Sequence, residues 1–314
     1  MNSIVLFQQL LILLGMMLIG YLAFKGNTID EHSYKKLSTL VVKILNPFLI
    51  ISGVVGKTVT FSNEIIVQNL ILVFAFYVLL FLAGFLYVKL LRINNNESYL
   101  NRMLILLPNV GFMGIPIVKE SLGSEYIVLV AFYIVGFNIL AYSYGIYLAS
   151  KFGNKETKMN LKNYFSPGLI YAVTAIAIFF LQIQLPKPFV IFFNYMGEAC
   201  IVMSMIVIGA FLARMDLKEA LISKDSLSFV FAFMLICPFI MVFLSKYLPF
   251  DVNVLTVFHL EACMPVGSVA CMIAQEYGGD GSKAARIIAA TTLSTIITAP
   301  LVFFLANAAF NSLN

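Results

Sequence analysis

Two short stretches, each in the middle of a long apolar segment, decide the fold of this chain: LPNVGFMGIP at residues 107–116 and HLEACMPVGS at residues 259–268. Both place proline, glycine and a polar residue where an uninterrupted membrane helix would carry apolar side chains. Proline removes a backbone donor and opens a helix. Unpaired backbone at membrane depth is tolerated only where it lines a cavity or is buried in protein. The two stretches therefore predict two interrupted helices beside a cavity.

The rest of the sequence has the composition of an integral membrane protein. Of 314 residues, 61% are hydrophobic and 11% are charged, and the mean hydropathy is +0.96. A soluble domain is about half apolar and about a quarter charged, so most of this surface needs lipid as its solvent. The net charge of +5 is small and gives no indication of nucleic-acid binding. The four cysteines and two histidines show no metal-site spacing, so no cofactor is predicted.

Apolar runs between charges predict ten transmembrane helices, because a bilayer core needs roughly 20 apolar residues per helix. The first is interpreted as a retained span, since no basic flank precedes it and no small-residue cleavage site follows it. The predicted spans cover residues 4–24, 37–55, 65–88, 103–118, 126–150, 167–181, 189–213, 227–245, 254–274 and 284–308.

The distribution of Lys and Arg supports this count. Cytoplasmic loops carry the excess of basic residues, and one set of alternate loops holds 15 of the 20 basic residues, whereas the opposite set holds 4. A missed or invented span would scramble that alternation. We therefore predict a multi-pass protein of the cell (inner or plasma) membrane with both termini on the non-cytoplasmic side.

The chain also has the pattern of an internal duplication. The basic loop at residues 151–166 separates five predicted spans from five, so residues 1–150 and 167–314 are predicted to be two repeats joined by a cytoplasmic linker. An odd number of spans per repeat inverts the second repeat. The interrupted fourth and ninth spans should therefore run antiparallel.

Paired interrupted helices in corresponding positions of two halves are a pointer to a transport site. Each second half-helix directs N–H groups and a positive dipole end at the membrane midplane, which favours an anion. Each first half-helix ends there in free carbonyls, which favour a cation. No nucleotide-binding motif is present, so an ion gradient is the expected energy source, with Na+ or H+ as the coupling ion.

Polar residues inside the spans are the candidate site residues. A carboxylate at membrane depth costs at least about 2.5–3.5 kcal/mol and should face a cavity or a partner. Glu261, on the interrupted ninth span, is predicted to be the sodium ligand or proton acceptor; a structural hydrogen bond to a broken-helix amide is the alternative. Glu198 and Asn194 share a face of the seventh span, and interhelical hydrogen bonding explains such a pair equally well.

The substrate is expected at the two helix breaks. Asn109 is predicted to donate its amide to a substrate carboxylate, with capping of the half-helix as the alternative. Asn46 and Lys43 share a face of the second span, where Lys43 either pairs with the substrate charge or extends to the interface. The predicted substrate-binding residues are Asn109, Pro108, Gly111, Asn46, Lys43, Pro265 and Gly267.

With these residues in view, the sequence resembles the auxin efflux carrier family, including its bacterial malate- and malonate-permease-like members. Residues 109–116 resemble the family's N-x-x-x-M-G-I-P crossover, and residues 262–267 with Glu276 and Tyr277 resemble its A-x-x-P-x-G … E-Y segment. Residues 209–213 are similar to its G-x-F-x-A. The resemblance extends over the whole chain.

The resemblance implies an all-α fold of two inverted five-helix repeats with broken crossover helices, like that of the bile acid:sodium symporters. It also implies that Asn109 contacts a substrate carboxylate. Two departures limit the comparison with plant members. Their long hydrophilic centre is replaced by a linker of about sixteen residues, and Glu261 stands where they often have Gln, so their independence of cation gradients does not carry over.

Three classes of function are compatible with the sequence. A secondary transporter of a small malate- or malonate-like organic anion is the leading one. A ligand-sensing receptor with the same fold is the second, although receptor-like members usually carry appended soluble domains. A membrane enzyme is the third, but no HExxH, paired intramembrane aspartates or Ser/His arrangement is present. The expected partners are the anion and the lipid bilayer, with a homodimer among the open oligomeric states.

Overall fold

A computed structural model of the chain describes residues 3–56, 61–153, 167–277, 279 and 281–311. Its regular elements in these residues are helices. The first half contains α1 (Ser3–Lys25), α2 (Glu31–Leu40), α3 (Asn46–Ser52), α4 (Asn63–Leu90), α5 (Asn95–Leu106), α6 (Ile115–Leu122), a short 3-10 turn (Ser124–Tyr126), α7 (Ile127–Leu140) and α8 (Ile146–Phe152). The second contains α9 (Pro167–Phe180), α10 (Lys187–Ala213), α11 (Leu217–Ile222), α12 (Lys224–Phe229), α13 (Cys237–Ser245), α14 (Val252–Ala262), α15 (Ser268–Glu276) and α16 (Gly281–Asn311).

Short π-helical segments connect several of these helices. Val41–Leu45 joins α2 to α3, Ala141–Gly145 joins α7 to α8, and Val230–Ile236 joins α12 to α13. Val110–Gly114 leads into α6. Because the chain continues through each segment without a turn, α2–α3, α7–α8 and α12–α13 each form one long rod.

The fold class predicted from the sequence, a helical polytopic membrane protein, is confirmed. Six described helical segments are long and apolar enough to cross a bilayer: Phe7–Lys25, Asn63–Leu90, Ser124–Phe152, Lys187–Ala213, Lys224–Ser245 and Gly281–Leu305. Large apolar side chains on them face outward, Phe74 being 74% exposed, as expected for a lipid-facing surface. The four remaining predicted spans are shorter or interrupted, and the full count of ten stays a prediction. Residues 154–166, most of the predicted linker, lie outside the described residues.

Ion pairs at the helix ends join segments that the charge pattern places on one side of the membrane. Four such pairs are Arg214–Glu31 (2.6 Å), Lys283–Glu97 (2.9 Å), Lys283–Asp225 (2.8 Å) and Arg286–Glu219. Each pair requires its two segments to lie at the same end of the helical bundle. The pairing therefore agrees with the predicted alternation, whereas the side that faces the cytoplasm is predicted from the charge bias alone.

The predicted orientation is tested by cysteine labelling in a background with the four native cysteines replaced. We expect a membrane-impermeant maleimide added outside intact cells to label Asn2→Cys and Ser312→Cys, and to label Lys158→Cys only after permeabilisation. The reason is the 15-to-4 bias of basic residues. Labelling that places Asn2→Cys and Ser312→Cys on opposite sides would show that the number of spans is odd.

Helices α1 and α10 approach each other through two glycines. A Cβ atom on Gly20 would overlap the Ile206 carbonyl, and one on Gly209 would overlap the Met17 carbonyl. Small residues at such positions allow membrane helices to pack backbone against backbone. Gly197 of α10 lies equally close to α3, where an added Cβ would lie 2.6 Å from Ser52 Oγ. Helices α1, α3 and α10 therefore form one closely packed unit, called here the glycine-packed unit.

Gly20→Ala is expected to destabilise the detergent-solubilised protein, because the added methyl group must push α1 away from α10. Overpacking costs about 1–3 kcal/mol, which corresponds to a fall of about 2–10 °C in the thermal midpoint. Gly15→Ala is the matched control on the same helix, since a Cβ there meets no atom within 4 Å. Equal midpoints for the two variants would contradict the close approach of α1 and α10.

Candidate functional site

The two predicted helix breaks lie side by side and are joined by backbone hydrogen bonds. The chain leaves the α-helical path between α5 and α6 at Pro108 and Asn109, and between α14 and α15 at residues 263–267. Pro108 and Val266 form an antiparallel bridge. The Asn109 N–H donates to the Pro265 carbonyl (2.7 Å), and the Gly267 N–H donates to the Leu107 carbonyl (2.8 Å). The antiparallel crossover predicted from the sequence is therefore present, and each break supplies backbone partners to the other.

A cavity of about 70 Å³ lies beside this crossover. Five of the predicted substrate-binding residues line it: Asn46, Pro108, Asn109, Gly111 and Gly267. The other lining residues are Val110, Phe112, Ile134, Phe137, Asn138, Tyr142 and Val269. The sequence therefore predicted the part of the lining that comes from the breaks and from the second span.

Two predicted substrate residues lie outside the lining. Pro265 contributes to the crossover through its carbonyl, which accepts the hydrogen bond from Asn109. Lys43 lies in the π-helical segment before Asn46, and its side chain is exposed. The structure therefore does not bring the Lys43 charge to the cavity, and its proposed pairing with a substrate charge stays a prediction.

Two helical segments begin at the cavity, and this makes the site suitable for an anion. Val110–Gly114 starts after Asn109, and α15 starts after Gly267; neither start has a side-chain capping hydrogen bond. The first N–H groups of a helix have no partner within it, and the dipole places positive charge there. The described residues around the cavity carry no charged side chain. The backbone ends are therefore the groups of this site that can attract a negative ligand.

Amide side chains complete the polar part of the lining. The Asn109 side chain makes no capping hydrogen bond, so it does not cap the helical segment that follows it in this structure. Asn46 Oδ1 is buried without a hydrogen-bond partner among the described residues, and Asn138 Nδ2 donates to the Ile134 carbonyl (2.7 Å). Asn46 of α3, Asn109 of the first break and Asn138 of α7 therefore all line one cavity.

The sequence analysis did not identify two polar lining residues, Asn138 and Tyr142, which both lie in the fifth predicted span. Asn138 is a single amide within a long apolar run, and the rule that selected Asn46 and Asn109 could have found it. Nothing in the local sequence of Tyr142 distinguishes it from the other tyrosines of the chain. It lies in a π-helical segment, and such segments are frequent at functional sites.

Glu261 lies near the C-terminal end of α14 and is not among the residues that line the cavity. Its side chain has no exposed surface, and neither carboxylate oxygen has a hydrogen-bond partner among the described residues. The carboxylate packs against Gly114, where an added Cβ would lie 2.5 Å from Oε1. Gly114 donates its N–H to the Asn109 carbonyl (3.2 Å). The carboxylate thus contacts a residue that is hydrogen-bonded to Asn109, the predicted substrate contact.

A tyrosine hydroxyl is buried in the same region. Tyr133 of α7 has no exposed surface, and its hydroxyl has no partner among the described residues. Its ring packs edge-on against Phe76 of α4, which packs against Phe258 of α14. Buried polar groups are normally paired with protein, water or an ion. Glu261 and Tyr133 are therefore two buried polar groups that lack such a partner among the described residues.

The other two predicted coupling residues, Glu198 and Asn194, lie elsewhere. Both are exposed on α10 and neither lines the cavity. The Glu198 side chain is 62% exposed and forms an ion pair with Lys119 of α6 (3.7 Å). Its carboxylate thus has a partner in this structure, whereas that of Glu261 has none among the described residues.

Comparison with known sequences places the chain among transporters. The profile of a family described as "Membrane transport protein" matches residues 5–163 and 155–303. The chain is also similar to an uncharacterized transporter of Methanothermobacter thermautotrophicus, with 23% identity over 295 residues that cover 94% of this chain and 96% of that protein. Neither comparison identifies a substrate or a coupling ion.

Proposed function

The chain belongs to the membrane transport protein family, the family of the auxin efflux carriers, and from this premise we propose that it is a secondary transporter of a small organic anion. The proposed substrate is a carboxylate of the malate or malonate kind. The proposed location is the inner or plasma membrane, with both termini outside. Transport would proceed by alternating access, in which the cavity at the crossover opens to one side of the membrane at a time.

One observation carries the proposal of an anionic substrate: two uncapped helix starts and three asparagines surround a cavity whose described lining has no charged side chain. A carboxylate can accept hydrogen bonds from backbone N–H groups and amide donors at once. A cationic substrate would meet the positive ends of both helical segments. The arrangement therefore favours an anion, with Asn109 as a side-chain donor.

Glu261 is proposed to hold the coupling ion. A fully buried carboxylate without a partner is unfavourable unless it binds a cation or a proton. Either ion would neutralise the acid next to the segment that begins at Asn109. Occupation of the ion site and of the substrate site would then be linked through Gly114. Na+ and H+ are both retained as candidates.

Counterflow in liposomes tests the proposed substrate class. Purified protein is reconstituted with an unlabelled carboxylate inside, and uptake of labelled mono- and dicarboxylates is measured with and without Na+. We expect saturable exchange of at least one small carboxylate. Binding of a carboxylate without any flux would instead identify a ligand-sensing receptor, and exchange of cations or neutral solutes only would contradict an anion site.

A further inference from the structure

The ion pair between Lys119 and Glu198 lies outside the cavity and is not used by the proposed coupling mechanism. Lys119 Nζ lies 3.7 Å from Glu198 Oε1. Lys119 lies in the last turn of α6 and Glu198 near the middle of α10. The pair therefore connects the two halves of the chain.

Glu198 lies near the middle of the predicted seventh span and is nevertheless exposed. It follows the start of α10 by eleven residues, which is about 16 Å at 1.5 Å per residue, close to the midplane of a 30 Å hydrocarbon core. An exposed carboxylate at that depth cannot face lipid without a large cost. Asn194, one turn earlier on the same face, is also exposed. The same face also exposes the apolar side chains of Tyr195 and Val202, and Lys119 supplies the partner that the Glu198 carboxylate needs there.

The two partners belong to different parts of the fold. Helix α6 continues directly from Val110–Gly114, the segment that lines the substrate cavity. Helix α10 belongs to the glycine-packed unit with α1 and α3. The ion pair thus joins the crossover to the glycine-packed unit by side chains that are 25% (Lys119) and 62% (Glu198) exposed.

We infer that the Lys119–Glu198 pair stabilises the conformation described here and breaks during each transport cycle. This inference rests on the proposed function, because alternating access moves one bundle against another around the substrate site. Movement of the crossover relative to α10 separates two side chains that are in contact only in one arrangement. Lys119 and Glu198 are then positioning residues that set the balance between the two access states.

The test measures that balance directly, without substrate. Val269→Cys, in the cavity lining, serves as reporter in a background with the native cysteines replaced, and its labelling rate is measured with an impermeant thiol reagent from each side. The charge variants are Lys119→Glu, Glu198→Lys and the double swap. Glu120→Gln, an exposed acid beside Lys119, is the matched control.

Each single variant places like charges opposite each other and is expected to change the ratio of labelling from the two sides by about two- to fivefold, the effect of an exposed pair. A merely structural pair would leave this ratio unchanged in the folded protein, whereas here the double swap should restore the wild-type ratio because it restores opposite charges. Unchanged ratios in both single variants, or a double swap that behaves like the sum of the two, would overturn the inference. Labelling does not require flux, so a wild-type protein that transports nothing would refute the proposed function separately.

Discussion

Replacing Asn109 with alanine is expected to weaken substrate binding by about 10- to 150-fold while the protein still folds. The Asn109 side chain lines the cavity and makes no capping hydrogen bond. Its amide is therefore available to a substrate carboxylate, and a hydrogen bond to a charged group contributes about 1.5–3 kcal/mol. The backbone hydrogen bond from Asn109 to Pro265 does not depend on the side chain, so the crossover should persist.

Binding of the carboxylate identified by counterflow is measured by its effect on thermal stability or by equilibrium titration. Asn101→Ala is the control, because Asn101 of α5 donates to the Glu97 carbonyl (2.9 Å) and does not line the cavity. Asn109→Asp has nearly the same shape but repels an anion, and it should bind at least as weakly as the alanine variant. Wild-type affinity in both Asn109 variants would show that this amide makes no substrate contact.

Replacing Glu261 with glutamine is expected to abolish accumulation against a gradient while substrate exchange persists. Glutamine keeps the shape of the buried side chain but has neither a negative charge for Na+ nor an exchangeable carboxyl proton. The variant should also remain folded, because an amide costs less than a carboxylate in a fully buried position. Loss of concentrative uptake with retained counterflow therefore separates ion coupling from substrate binding.

The control for this variant is Glu120→Gln, which removes an exposed carboxylate from α6. Its accumulation should equal that of the wild type. A Glu261→Gln protein that still concentrates substrate in a sodium or proton gradient would show that coupling lies elsewhere. Glu198, although paired with Lys119, would then be the next residue to test.

The crossover could be predicted from the sequence because its cause is local. Pro108 and Pro265 cannot continue a helix in which their N–H groups are needed, and each lies in an apolar run with glycine and polar neighbours. The inversion of the second half followed from counting spans between charged loops. The sequence also predicted Asn46, Asn109 and Gly267 as substrate-binding residues, and all three line the cavity.

The faces of the long helices could not be predicted in the same way. Helix α10 is apolar around most of its circumference, so its sequence does not indicate that Glu198 faces Lys119 and Gly197 faces Ser52. Lys43 shares a predicted helix face with Asn46, but the π-helical segment before Asn46 changes the residue spacing along that rod. A helical wheel with 3.6 residues per turn fails across such a segment.

The most direct test of the central claim is gradient-driven uptake by the purified wild-type protein in liposomes. A labelled carboxylate selected by counterflow is presented with an inward sodium gradient, an inward proton gradient or neither. We predict that one of the two gradients raises the internal concentration above the external one, and that an ionophore for that ion abolishes the excess. Exchange of that carboxylate without accumulation under either gradient would contradict the proposal of an ion-coupled secondary anion transporter.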